Sequence, residues 1–158
     1  MPVFVQKEPL DPTQLMQEYF PADHKIGAIV NFTGLVREFC DQSESSEKQT
    51  LTLEHYPGMT EKMLQKTLDL ACGRWALHQA LIAHRYGEME LGETIVFVAA
   101  SATHRKEAFE ACHFMIDWLK TQAPFWKLER SSEQEYWVQE RSQDQEQARR
   151  WSQTLSLK

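Results

Sequence analysis

The sequence predicts an α+β domain built on a mixed, mostly antiparallel sheet with packed helices. Three observations predict it. Apolar residues alternate in Gly27–Thr33, Leu51–Tyr56 and Phe125–Arg130, the period of strands with one face in a core. They recur at helical spacing in Thr60–Trp75 and His104–Thr121. The two kinds of segment interleave without strict strand–helix–strand regularity, which disfavours a doubly wound parallel sheet. A chain of 158 residues makes about one domain and can bury a core without disulfide or metal staples. We place that domain at 1–151 and expect 152–158 to fray.

Each element has its own signal. Asp11-Pro12 reads as N-cap and first helical residue, with Gln14 placed for a capping box, and the short helix stops near Pro21. In Gly27–Thr33 the residues Ala28, Val30 and Phe32 face one way and Ile29, Asn31 and Thr33 the other; Gly34 marks the strand's end. Glu38–Gln49 is polar, Ser-rich and aperiodic, a surface loop and a candidate lid on composition alone. The strand Leu51–Tyr56 ends at Pro57-Gly58. The next helix carries Met63, Leu64, Leu68, Ala71 and Trp75 on one side. Leu81–Tyr86 and Thr94–Ala100 are strands joined through Gly87 and Gly92, and the run Ile95-Val96-Phe97-Val98 suits a strand buried on both faces. Ala108, Ala111, Cys112, Met115 and Leu119 form the stripe of the long helix, which ends at Ala123-Pro124. Trp137 sits in a further short strand, and Gln143–Trp151 reads as a terminal amphipathic helix.

Composition excludes several classes. Seventeen Lys and Arg against 23 Asp and Glu give a formal net charge of -6, which argues against general nucleic-acid or anionic-membrane binding. Eight Phe, five Trp and four Tyr need a core or an interface, so disorder throughout is excluded. Cys40, Cys72 and Cys112 include no close pair, which disfavours a disulfide scaffold or a zinc knuckle. The start, MPVFVQKEPLDP, shows no signal peptide, and the longest uncharged segments fall short of the ~20 residues of a membrane span. A reducing cytoplasm is the expected compartment. No 20–50-residue period repeats, and there is no P-loop, Gly-x-Gly-x-x-Gly or Gly-x-Ser-x-Gly.

The chemistry-bearing cations fall at element ends. Arg37 follows the first strand, and His104-Arg105-Lys106 opens the long helix. A helix N-terminus offers free N–H groups and a positive dipole end, so this is a plausible phosphate site; spacing alone favours a solvated basic turn. Lys120 sits in that helix's last turn and Lys127 in the strand beyond Pro124. Alternation puts Phe125, Lys127 and Glu129 on one face and Trp126, Leu128 and Arg130 on the other. Two neighbouring ammonium groups lower each other's pKa, which suits a base or nucleophile; the plainer reading is a surface Lys–Glu pair of little worth. His55 reads either as a base or as a satisfied turn residue. No His-x-x-x-His or acidic cluster has metal spacing. Cys112 reads as core, and Cys40 lacks an activating base.

Taken in order, the segments Phe32-Thr33-Gly34-Leu35-Val36-Arg37, Leu51-Thr52-Leu53-Glu54-His55-Tyr56-Pro57-Gly58-Met59, His84-Arg85-Tyr86-Gly87 with Gly92-Glu93, Ser101-Ala102-Thr103-His104-Arg105, and Leu119-Lys120 with Ala123-Pro124-Phe125-Trp126-Lys127-Leu128-Glu129 form a recognisable set. The chain resembles the large, catalytic subunits of molybdopterin synthase from about Gly27 to Trp151. The resemblance implies an α/β-hammerhead-type fold with a small extra β subdomain, and a homodimer within a heterotetramer. Its partner would be a small ubiquitin-like sulfur carrier whose Gly-Gly tail ends in a thiocarboxylate. Two sulfurs would pass to cyclic pyranopterin monophosphate to form the dithiolene of molybdopterin, with no metal or other cofactor in this subunit. It further implies Lys120 and Lys127 as catalytic, and Arg37, His104, Arg105 and Glu129 as substrate-binding, flanked by Leu35, Val36 and Leu128. Arg141 matches a position that reaches the neighbouring protomer's pocket. Leu35 and Leu128 depart from the family pattern, since many relatives carry basic residues there. Alternation points Leu128 away from Lys127, so that loss should be tolerated.

Two other readings compete. A phosphate-ester hydrolase or transferase would use the same His-Arg anion site without a protein sulfur donor. A non-catalytic binding module for a ubiquitin-like protein would tolerate loss of Lys120.

Overall fold

In the computed structural model, residues 1–38, 49–130, 135–138 and 151 are described. The elements are β1 (Val3–Gln6), α1 (Pro12–Tyr19), β2 (Ala28–Leu35), β3 (Thr50–His55), α2 (Met59–Arg74), β4 (Leu77–Arg85), β5 (Gly87–Glu90), β6 (Thr94–Ala102), α3 (Arg105–Gln122), β7 (Phe125–Arg130) and β8 (Glu135–Val138). The strands form two four-stranded sheets, β1-β4-β6-β2 and β5-β3-β7-β8. Only β1 with β4 is parallel among the described pairs. This is the α+β class expected, with the second sheet standing where an additional β unit was anticipated.

Why the first sheet forms is plain in β6. Its side chains from Val96 to Ala102 are all buried. Val96, Val98 and Ala100 pack with Leu64, Leu68 and Ala71 of α2 and Ala111, Phe114 and Met115 of α3. Phe97 and Ala99 turn to the other face, where Leu81, Ala83, Leu10 and Phe20 close a second cluster against α1. An uninterrupted apolar run is what a central strand covered on both faces requires. At α1 the Asp11 carboxylate accepts N–H bonds from Thr13 (2.8 Å) and Gln14 (3.1 Å), satisfying donors that the helix start leaves open.

Several expectations need correction. Gly34 does not end its strand. β2 runs on to Leu35 through an irregularity between Gly34 and Leu35. A Cβ at Gly34 would lie 2.6 Å from Val96 Cγ1, so glycine is what lets β2 stay paired there. The link through Gly87 and Gly92 contains β5, which pairs with β3. β1 had no counterpart in the expected elements, and β4 begins at Leu77 rather than Leu81. The loop residues 39–48 with Cys40, the segment holding Arg141, all but the last residue of the helix expected over Gln143–Trp151, and the tail 152–158 lie outside the described residues. Trp151 is described and helical. Its indole Nε1–H donates to Asp117 Oδ2 at 2.7 Å, its carbonyl accepts from Arg74 at 3.2 Å, and its ring packs edge-on against Trp75 and Phe114. That polar tip and apolar body hold the chain's far end between α2 and α3.

Candidate functional site

The site begins at β7. Lys127 and Glu129 project from one face, as alternation requires, and Lys127 Nζ lies 2.6 Å from Glu129 Oε1. The Glu129 side chain is only 9% exposed and that of Lys127 36%, so the carboxylate is buried and the ammonium is half-exposed. Leu51 and Leu53 of β3 lie directly opposite Glu129 and Lys127 and share their face. There they pack with Met89 and Val36. An apolar floor therefore surrounds a charge-assisted pair, where a shielded contact is stronger than one in water. Leu128 is buried on the opposite face, across from Thr52 and Trp137, and points away from Lys127 as expected.

The start of β7 is set by aromatic packing. Phe125 stacks on His84 at 3.9 Å and 20°. His55 lies 4.2 Å from the Tyr86 ring, and its Nε2 is 3.6 Å from Glu61 Oε1. His55 is thus the satisfied residue of a strand end rather than an open base. Burial pushes the His84 pKa down to about 4, and His84 Nδ1 bonds the Arg85 carbonyl at 2.9 Å. The Thr60 hydroxyl donates to the Pro124 carbonyl and accepts from the Tyr56 N–H, tying the start of α2 to the turn before β7.

The remaining cations come from two directions. Val36 is 3% exposed, so its side chain is core. Arg37 beside it is exposed, with Nη1 bonding the Glu38 carbonyl at 3.2 Å. Leu35 is 53% exposed at the end of β2. Lys120 is exposed in the last turn of α3, where the negative end of the helix dipole favours a cation. His104 is the N-cap of α3 and makes no side-chain cap bond, so the first turn of this 18-residue helix has N–H groups its own N-cap leaves open, with exposed Arg105 and the Glu107 carboxylate both in that turn. Yet Arg105 and Lys120 stand at opposite ends of α3, about 22 Å apart at 1.5 Å per residue. One protomer brings Lys127 and Glu129 together but does not bring His104 and Arg105 to Lys120.

Some structure here was not foreseen. The Arg85–Glu93 ion pair and the His84–Phe125 stack both join residues of motifs that sequence order alone had only grouped. Burial raises the Cys112 thiol to about 12, in keeping with its place in the core. No group of three or more His, Cys, Asp or Glu among the described residues is arranged to hold a metal.

The model of the MoaE protein family matches residues 5–122. The chain belongs to the MoaE family. A molybdopterin synthase catalytic subunit of Pseudomonas aeruginosa is 46% identical over 153 residues, 97% of this chain and 100% of that one. The solved structure of molybdopterin cofactor biosynthesis protein E from Burkholderia multivorans superposes with a TM-score of 0.78 at 41% identity, covering 95% of each chain. Molybdopterin synthase from Staphylococcus aureus gives a TM-score of 0.75 at 29% identity, covering 86% of this chain and 96% of that one. Membership in this family accords with the ordered motif set and sets aside the hydrolase reading, which needs no such relatives. No helix among the described residues is long and apolar enough to cross a membrane.

Proposed function

We infer that this MoaE chain performs the reaction of a molybdopterin synthase catalytic subunit within one domain over 1–151, in the cytoplasm. It accepts the thiocarboxylated Gly-Gly tail of a small ubiquitin-like carrier. It transfers two sulfurs to cyclic pyranopterin monophosphate, forming the dithiolene of molybdopterin. In each transfer a carbon–sulfur bond forms on the pterin side chain as a carbon–oxygen bond there breaks, and water then cleaves the carrier's acyl–sulfur bond, leaving sulfur on the pterin and the carrier as a carboxylate.

The observation that carries the reading is the Lys127–Glu129 pair, 2.6 Å apart above an apolar floor. An ammonium held by a buried carboxylate has a fixed position, and a fixed cation at the mouth of the floor attracts the anionic tail and offsets charge as it develops. Lys120, at the end of α3, supplies the second ammonium. Together they orient the thiocarboxylate and move protons as sulfur replaces oxygen. Arg37 and the His104–Arg105 helix start bind the phosphate of the pterin. Because about 22 Å of helix separates Arg105 from Lys120, a complete site takes its phosphate cradle from the second protomer of the homodimer. Arg141, by the family pattern, reaches across the same boundary. The binding-module alternative leaves Lys120 and Lys127 without a task.

Single Lys120→Ala and Lys127→Ala variants test this. Each is expected to lower turnover by about 100-fold or more while thermal unfolding stays cooperative. Near-normal turnover in both folded variants would remove the mechanism.

A further inference from the structure

The motifs His84-Arg85-Tyr86-Gly87 and Gly92-Glu93 have no part in the chemistry above, yet they meet in space. Arg85, 8% exposed, sends Nε to the Lys7 carbonyl at 3.1 Å and Nη1 to Glu93 Oε1 at 2.9 Å. The other carboxylate oxygen, Oε2, accepts the Glu90 N–H at 2.7 Å. Both oxygens of Glu93 are therefore engaged, one by a nearly buried guanidinium and one by the backbone of the turn it belongs to. Those bonds hold the Glu93 carboxyl below its ordinary pKa, the Arg85 hydrogen bond most of all, so it is ionised at neutral pH. The same turn grips the end of β2. The Glu93 carbonyl accepts the Val36 N–H at 2.9 Å, and the Val36 carbonyl accepts the Gly92 N–H at 2.8 Å. Gly92 lies at φ 84, which only glycine adopts without strain, so the turn needs both its glycine and its locked carboxylate. Val36 in turn is pinned by Leu51, Leu53 and Met89.

We propose that Arg85 and Glu93 are positioning residues for Arg37. The ion pair fixes the Gly92–Glu93 turn, the turn fixes the backbone of Val36, and that backbone sets where the Arg37 guanidinium meets the anionic substrate. Neither residue touches the substrate. The inference rests on the reading of Arg37 as a phosphate ligand. A guanidinium recognises phosphate through a planar fork, so a stem anchored on a mobile strand end loses affinity to the cost of ordering it. β2 stays paired through Leu35, opposite Thr94, and beyond it the backbone of Val36 is held by its two bonds to this turn. A purely structural ion pair would affect stability and both kinetic constants together, with no special link to Arg37.

The test is a double-mutant cycle of Glu93→Gln and Arg37→Ala, measured on the complete enzyme with thiocarboxylated carrier and cyclic pyranopterin monophosphate. Glu93→Gln keeps an oxygen for the Glu90 N–H and removes the charge that holds Arg85. It is expected to raise the pterin KM by about 3–10-fold with kcat within about two-fold. Arg37→Ala raises KM at least as much, and the double variant matches Arg37→Ala alone. Arg85→Lys keeps the charge but cannot reach both the Lys7 carbonyl and Glu93, so it should reproduce the Glu93→Gln pattern if that variant folds poorly. KM effects that multiply in the double variant, or a Glu93→Gln loss shared equally by kcat and KM, would overturn the positioning role while leaving the Arg37 reading standing. An unchanged KM in Arg37→Ala would overturn the phosphate-ligand reading itself, and the positioning role with it.

Discussion

His84 sits 3.9 Å from Phe125 with 5% of its surface exposed, and burial pushes its pKa down to about 4 against an ordinary 6.5. Above pH 6.5 it is neutral both folded and unfolded and adds no pH dependence. Between pH 6.5 and about 4 the unfolded chain takes up a proton that the fold refuses, so stability falls as pH falls. The expected slope reaches about 1.4 kcal/mol per pH unit, read from urea unfolding at pH 7, 6 and 5. A His84→Gln variant should flatten that slope, and an equal slope in the variant would remove His84 as its source. At this scale the sequence spoke unevenly. The facing of Lys127 and Glu129, and the turning away of Leu128, followed from a period of two. The Arg85–Glu93 pair did not, because its partners flank a strand too polar, Gly87-Glu88-Met89-Glu90, to read as one.

Among the elements, long apolar patterns were legible and short paired ones were not. α2, α3 and the doubly buried β6 announced themselves through stripes and runs that any core must satisfy. β1 and β5, four residues each, exist through pairing with β4 and β3, and that pairing is non-local. Glycine commonly punctuates strands, whereas Gly34 admits Val96 against the backbone of a strand that continues. A Gly34→Ala variant should therefore cost about 1–3 kcal/mol in chemical unfolding, since its Cβ overpacks a buried valine. Unchanged stability would mean that β2 shifts there freely. The length of α3, plain in the sequence, also carries a consequence that motif order concealed: it separates the two cation groups that the family pattern places in one pocket.

That separation is decided at the scale of the whole molecule. If each complete site draws its lysines from one protomer and its phosphate cradle from the other, inactive variants should rescue each other. Mixing Lys127→Ala with Arg105→Ala chains, after dissociation and reassembly, creates dimers with one intact site and one doubly defective site. Random reassociation should recover about a quarter of wild-type activity. Activity no greater than the sum of the two parents would place every residue of the site within one protomer and require α3 ends to act apart.

Reconstitution tests the sulfur transfer most directly. Purified protein is mixed with thiocarboxylated carrier and cyclic pyranopterin monophosphate, and dithiolene product and carrier mass are followed together. The expected result is product formation with each carrier consumed exchanging sulfur for oxygen, a mass loss of about 16 Da, two carriers per product. Carrier binding without product from a folded sample would support a binding module instead. A folded sample that neither binds the carrier nor forms product would contradict the sulfur-transfer function outright.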